Sequence, residues 1–142
     1  MKSDHQAGDK PITLLIADDH PIYRDGLQAL IGHWDDFQIS GVASNGLEAL
    51  KLYRQFRPDI VLMDVHMPIM SGAEATCLIL EEFPSARIVI LAISNHDPEL
   101  FAALEFGACG YALKEVTAQQ LHHLLRGWAA RDNRYKEEKP TG

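Results

Sequence analysis

Residues 12–33 read ITLLIADDHPIYRDGLQALIGH. The opening run, 12–17, is apolar and β-branched without clean alternation. That is the pattern of a strand covered on both faces, as strands of parallel sheets are. Asp18, Asp19 and His20 follow, and then Pro21. Proline suits the first turn of a helix, where its missing N–H would have had no partner. From there apolar residues recur at three- and four-residue spacing to His33, the period of an amphipathic helix.

The same alternation fills the chain. Strand-like runs fall at 12–17, 38–43, 59–63, 87–93 and 110–113, and helix-like stretches at 21–33, 46–55, 72–82, 98–106 and 118–130. The punctuation agrees: Ser44-Asn45 offers a helix cap, Pro58 and Pro84 each separate a helix from a strand, and Gly107 closes the fourth helix. Strand–helix alternation predicts an α/β fold built on a doubly wound, five-stranded parallel sheet flanked by five helices. At 142 residues this uses the chain up as one domain, with polar tails at 1–10 and 132–142. Twenty acidic against thirteen basic residues give a formal charge of −7, and no basic block suggests a nucleic-acid grip. Cys77 and Cys109 form no CxxC pair and read as plain buried thiols. No apolar run approaches the ~18 residues of a membrane span, and MKSDHQAGDK lacks an apolar signal core, so the expectation is a soluble, cytoplasmic chain.

In open α/β sheets ligands bind beyond the carboxyl ends of the strands. Those ends carry Asp18-Asp19 after the first strand, Asp64 after the third and Lys114 after the fifth. Each aspartate alone reads equally well as a solvated loop charge. Three carboxylates on one rim repel one another, so their ionisation at neutral pH requires a cation or a raised pKa. Hard oxygen ligands with room for water suit Mg2+, and Mn2+ would serve as well. A carboxylate can also be a nucleophile, with the lysine ammonium placed for a phosphoryl oxygen. Together these parts amount to phosphoryl transfer by positioning and charge neutralisation.

With IADDHP, DVHMPIMSG and GACGYALKE in this order, and intervals of 45 residues from Asp19 to Asp64 and 50 from Asp64 to Lys114, the chain resembles the receiver domain of bacterial two-component response regulators. The resemblance runs over about 12–130, and the first and last motifs look most like the NarL/FixJ subgroup coupled to a LuxR-type helix-turn-helix. It implies a flavodoxin-like receiver fold over 11–131 with strand order 2-1-3-4-5. It also implies that Asp64 is the phosphoacceptor for a sensor histidine kinase, with Lys114 as its catalytic partner. Asp19, Asp64 and the backbone carbonyl of His66 would ligate Mg2+, with Asp18 acting through a metal-bound water. Met67-Pro68 and Gly72 would shape the loop after the acceptor, and Tyr111 would be the aromatic that changes rotamer on activation. Any enzymatic act would be self-phosphorylation from a phosphodonor and slow autodephosphorylation.

Two positions depart from that pattern. The family's interval of twenty-two residues back from Lys114 lands on Ala92, where a Ser or Thr hydroxyl would be expected. Ser94 lies ~6.6 Å farther on at ~3.3 Å per residue. It reaches the phosphoryl position only if the chain bends back; otherwise it flanks the attacking water and tunes hydrolysis. A hydrogen bond to a charged group is worth ~1.5–3 kcal/mol, so its loss at Ala92 leaves the chemistry possible and weakens switching through Tyr111. His66 reads either as a side chain tuning hydrolysis or as a rim imidazole lending only its carbonyl. His122 and His123 read as solvated helix positions, and Trp34 and Trp128 as core or helix-face residues.

Three functions compete on these residues. The first is a phosphorylation-dependent switch; the second, favoured by Ala92, is a phosphorylation-independent interaction module of receiver type. The third, an aspartyl-phosphate phosphohydrolase, is disfavoured by adjacent aspartates where a DxD motif is expected and by the lack of residues for a cap. DNA would be reached only through a helix-turn-helix domain that this chain does not contain. Its final charged stretch reads as a linker stub, and a homodimer is a further expectation.

Overall fold

The computed structural model describes residues 10–130; apart from position 10, the tails expected at 1–10 and 132–142 lie outside the described residues. Ten elements alternate: β1 (Ile12–Ala17), α1 (Pro21–Gly32), β2 (Phe37–Ala43), α2 (Gly46–Phe56), β3 (Ile60–Asp64), α3 (Gly72–Glu82), β4 (Ile88–Ala92), α4 (Pro98–Phe106), β5 (Gly110–Leu113) and α5 (Ala118–Ala129). All neighbouring strands are parallel, in the order β2-β1-β3-β4-β5. β3 is therefore central with β1 beside it, and the chain reverses its direction of travel across the sheet between β1 and β3. That reversal opens a crevice at the carboxyl ends of these two strands.

The central strands are buried on both faces, and their alternation separates two cores. Leu15, Ala17, Val61, Met63, Ile88, Ile90 and Ala92 face the layer of α2, α3 and α4. Leu14, Ile16, Ile60, Leu62, Val89 and Leu91 face α1 and α5. Among the described residues no helix is long and apolar enough to cross a membrane. Cys77 and Cys109 are half-buried rather than sealed in the core. Cys77 Sγ lies 3.8 Å from Glu81 Oε2, one turn along an outward-facing stretch of α3.

Two details place the functional rim. β4 ends at Ala92, fully buried, and Ile93 turns out to 77% exposure, so this strand is shorter than its apolar run suggests. After β3 the chain is held against α3: the Gly72 N–H donates to Val65 O at 2.9 Å, and a Ser71–Glu74 capping box fixes the start of the helix. A β-carbon at 72 would run into the Asp64 carbonyl oxygen and stand 2.9 Å from Val65 Cα. Gly72→Ala is therefore expected to cost ~1–3 kcal/mol and to displace the Asp64 backbone. Thermal melts and a metal titration, weakened together, check this.

Candidate functional site

Three strand ends deliver the side chains. The Asp18 N–H donates to Ala43 O at 3.0 Å, extending the β1–β2 pairing by one residue and turning Asp18 inward to complete burial. Asp64 is the last residue of β3, 4% exposed, with Leu91 as its partner on β4. The Lys114 N–H donates to Ala92 O at 2.8 Å, which carries Lys114 one step past β5. Its ammonium reaches 2.9 Å from Asp18 Oδ2 and 3.4 Å from Asp64 Oδ2.

One ammonium does not satisfy this cluster. Asp18 Oδ2, Asp19 Oδ1 and Asp64 Oδ2 are all buried, and apart from that single ammonium and the His20 ring no donor among the described residues is directed at them. Burial, and then the negative charge of Asp18, raise the Asp64 carboxyl from 3.8 to about 6, while Lys114 pulls the other way. Three buried carboxylates that share one ammonium keep an excess of negative charge and oxygen donors at one point, so the donor set fits a hard divalent cation such as Mg2+ or Mn2+. Asp18, Asp19, His20 and Asp64 each offer a ligand atom within 4.8 Å of the others.

Lys114 is also held from below. Its Nζ lies 4.6 Å from the centre of the Tyr23 ring on α1. Burial first, then the charges of Asp18 and Asp64, push the Tyr23 phenol up to about 12, so it stays neutral beside the acids. The ring face thus supports the ammonium by a cation–π contact worth ~1 kcal/mol. In Tyr23→Leu the affinity for a phosphoryl mimic is expected to fall roughly fivefold with Mg2+ affinity unchanged, and Tyr23→Phe should restore it. Parallel titrations of the three proteins check the split.

The remaining predicted residues take diverse places. His66 Nε2 lies 2.6 Å from Asp97 Oδ2, and Asp97 is the cap of α4, its Oδ1 accepting the Glu99 N–H. The imidazole is therefore directed to the next helix, tying the loop after Asp64 to the start of α4. Ser94 is exposed and its Oγ accepts the His96 N–H at 3.0 Å. Ala92 is buried under the rim, and Tyr111 on β5 is 38% exposed. Outside the acids, an open cleft of about 740 Å3 is lined by Asp19, His66, Met67, Pro68, Ser71, Glu74 and Glu99.

Sequence reading missed His20 and Tyr23. His20 stands beside the acidic pair, with Nδ1 3.1 Å from Asp18 Oδ1 and 3.4 Å from Asp19 Oδ1. Its adjacency to Asp18-Asp19 and the fixing of the turn by Pro21 were the available signals. His122 is a correction: rather than solvated, it is half-buried, 2.9 Å from Asp36 Oδ2 and edge-on to Trp34 at 4.6 Å. Asp36 is 86 positions away along the chain and also pairs with Arg126 at 2.7 Å, a tertiary contact that local pattern does not carry.

Residues 14–126 match the family model described as the response regulator receiver domain. The nitrate/nitrite response regulator protein NarL of Escherichia coli is 39% identical over 121 residues, which cover 85% of this chain and 56% of NarL. Among solved structures, a two-component response regulator of the LuxR family from Aurantimonas aligns with a TM-score of 0.79 at 33% identity, covering 85% of this chain and 86% of that one. The receiver domain of a sensor histidine kinase from Pseudomonas aeruginosa shares the fold, with a TM-score of 0.78 at 20% identity over 85% of this chain and 99% of its own. That protein carries a magnesium ion coordinated in its active site cleft. The chain spans about half the length of the curated relatives it matches.

Proposed function

The chain belongs to the response regulator receiver domain family, and on that premise we propose that it is a Mg2+-dependent phosphoacceptor whose acceptor is Asp64. The observation that carries this reading is the convergence of buried carboxylate oxygens from Asp18, Asp19 and Asp64 on a single ammonium, that of Lys114. An Asp64 carboxylate oxygen attacks the phosphorus of a phosphohistidine on a sensor kinase. A P–O bond forms, the P–N bond breaks, and the leaving imidazole takes the electron pair and a proton. Lys114 sits where a phosphoryl oxygen would need a cation, and Asp18 keeps that ammonium in place. Asp19, Asp64 and the His66 carbonyl would hold Mg2+, which when bound neutralises charge on the transferring group. Turnover is limited to this self-modification and slow autodephosphorylation, and the chain would work in the cytoplasm.

Switching is proposed to be weak. Ala92 offers no hydroxyl to a phosphoryl oxygen, which removes one contact that would differ between the two states. Ser94, exposed and engaged with the His96 N–H, remains beside the path of an attacking water as a tuner of hydrolysis rather than a substitute for that hydroxyl. Tyr111 accordingly responds little. Output runs through protein contacts, homodimerisation included, or through a DNA-binding domain of the LuxR type. Buried Ala92 is also the one observation favouring the second reading, an interaction module independent of phosphate.

Beryllofluoride titration with Mg2+, followed by amide and methyl NMR, tests both parts. Saturable binding at Asp64 with small shifts at Ala92 and Tyr111 is expected. Absence of binding sinks the phosphoacceptor reading in favour of the interaction module, and a full cooperative rearrangement sinks the weak-switch reading alone.

A further inference from the structure

We propose that His20 is a nitrogen ligand of the acidic site and biases it toward a first-row transition ion of the Mn2+ kind over Mg2+. The inference rests on the phosphoacceptor reading for the existence of the cation site and goes beyond it in the identity of ligand and metal.

Four observations support it. His20 Nδ1 stands 3.1 Å from Asp18 Oδ1, 3.4 Å from Asp19 Oδ1 and 3.7 Å from Asp64 Oδ2. Two ligands at ~2.1 Å from a shared ion can be at most ~4.2 Å apart, so all three pairs lie within the span of one coordination sphere. Asp64 Oδ2, on a side chain 6% exposed, is buried at this point, and Asp18 Oδ1 beside it belongs to a fully buried side chain whose other oxygen faces Lys114.

The second observation concerns what the imidazole does not do. His20 is the cap residue of α1, yet its side chain makes no capping hydrogen bond. Pro21 in the first turn has no N–H to compete for it, and the ring is turned to the carboxylates instead. Third, the His20 main chain is anchored independently: its N–H donates to Asp18 Oδ1 at 2.8 Å, so the ring can exchange its Asp18 contact for a metal without losing the turn. Fourth, the other histidine beside the acceptor is already engaged, His66 Nε2 with Asp97 at 2.6 Å.

Ligand chemistry then assigns the metal class. Mg2+ is held by oxygen and gains little from imidazole, whereas first-row transition ions accept nitrogen and oxygen together. An N-donor added to this oxygen set therefore raises affinity for the latter selectively.

The test uses Mn2+, whose unpaired electrons report directly bonded nitrogen in pulsed EPR. Wild-type protein loaded with Mn2+ is expected to show 14N modulation from one imidazole. His20→Asn should abolish it, and asparagine suits the cap position so the helix start is preserved. Competition between the two ions should show the Mn2+ over Mg2+ preference falling about tenfold or more in the variant, the scale seen when even an outer partner of a ligand is lost. Identical spectra and preferences in the two proteins, or 14N modulation that survives the substitution, overturn the inference. If both proteins nonetheless bind Mg2+ and beryllofluoride, the phosphoacceptor reading stands while the nitrogen ligand falls. If neither ion binds the wild type, both fall.

Discussion

In Asp64→Asn, phosphoryl incorporation from acetyl phosphate falls to background, while the chelator-treated protein melts at a higher temperature than wild type at pH 8. The first effect follows from chemistry: an amide oxygen is not a nucleophile of carboxylate strength, and Asp18 and Asp19 are not placed to replace it. The second follows from the raised pKa. Asp64 titrates at about 6 in the fold against 3.8 as an ordinary carboxyl, burial being the leading cause and the charge of Asp18 the next. A carboxyl raised in the folded state contributes stability below its unfolded value and loses it as pH rises through its folded value. At pH 8 wild type therefore carries an unfavourable charge that the amide lacks. Two pH units at ~1.4 kcal/mol each, reduced for screening by water at the open side of the site, leave about 2 kcal/mol. The gain should shrink through pH 6 and vanish near pH 4. Mass spectrometry of the acyl phosphate and melts at three pH values check both parts, and a variant less stable than wild type at pH 8 would contradict the account.

Lys114→Met reverses the sign. Methionine fills similar volume and removes the only ammonium within 4 Å of Asp18 and Asp64 among the described residues. Stranding buried charge in this way costs ~3–5 kcal/mol. Since Lys114 holds the Asp64 pKa down, its removal lets that carboxyl rise further, so the loss is largest at high pH and recedes as acid protonates the pair. Mg2+ should recover part of the stability, because a cation returns to the carboxylates. Beryllofluoride binding should not recover, since no donor replaces the ammonium. Denaturant melts with and without Mg2+, set beside beryllofluoride titration, separate the two.

The architecture and the acidic rim were legible in the sequence because both are written locally. Strands buried on two faces show as unbroken apolar runs such as DIVLM, and a residue just past such a run has only one rim on which to stand. Asp18, Asp64 and Lys114 were found in that way. Element ends shifted by a residue or two where exposure decides them, as at Ile93. What local pattern does not hold is contact across the fold. The Tyr23 ring meets Lys114 because the long lysine side chain reaches from beyond β5 to the first turn of α1, and Asp36 meets His122 because α5 returns over the start of β2. His66 offered an ambiguous imidazole, and only the position of Asp97 at the cap of α4 settled where its ring goes. His20 is hidden for a different reason: one histidine between an acidic pair and a helix-starting proline has no spacing pattern that marks it as a ligand.

The carboxylates and the ammonium come from positions 18 to 114, the two ends of the folded chain, and meet only when β1, β3 and β5 are aligned in one sheet. No fragment of the sequence can gather the site early. A bound divalent ion therefore rewards only the completed sheet: at a hundredfold excess over its dissociation constant it adds ~2.7 kcal/mol to global stability. Contacts absent from the folding transition state act mainly on the rate of unfolding. The cation would act as a kinetic lock, lengthening the lifetime of the native chain and leaving the speed at which it folds almost untouched.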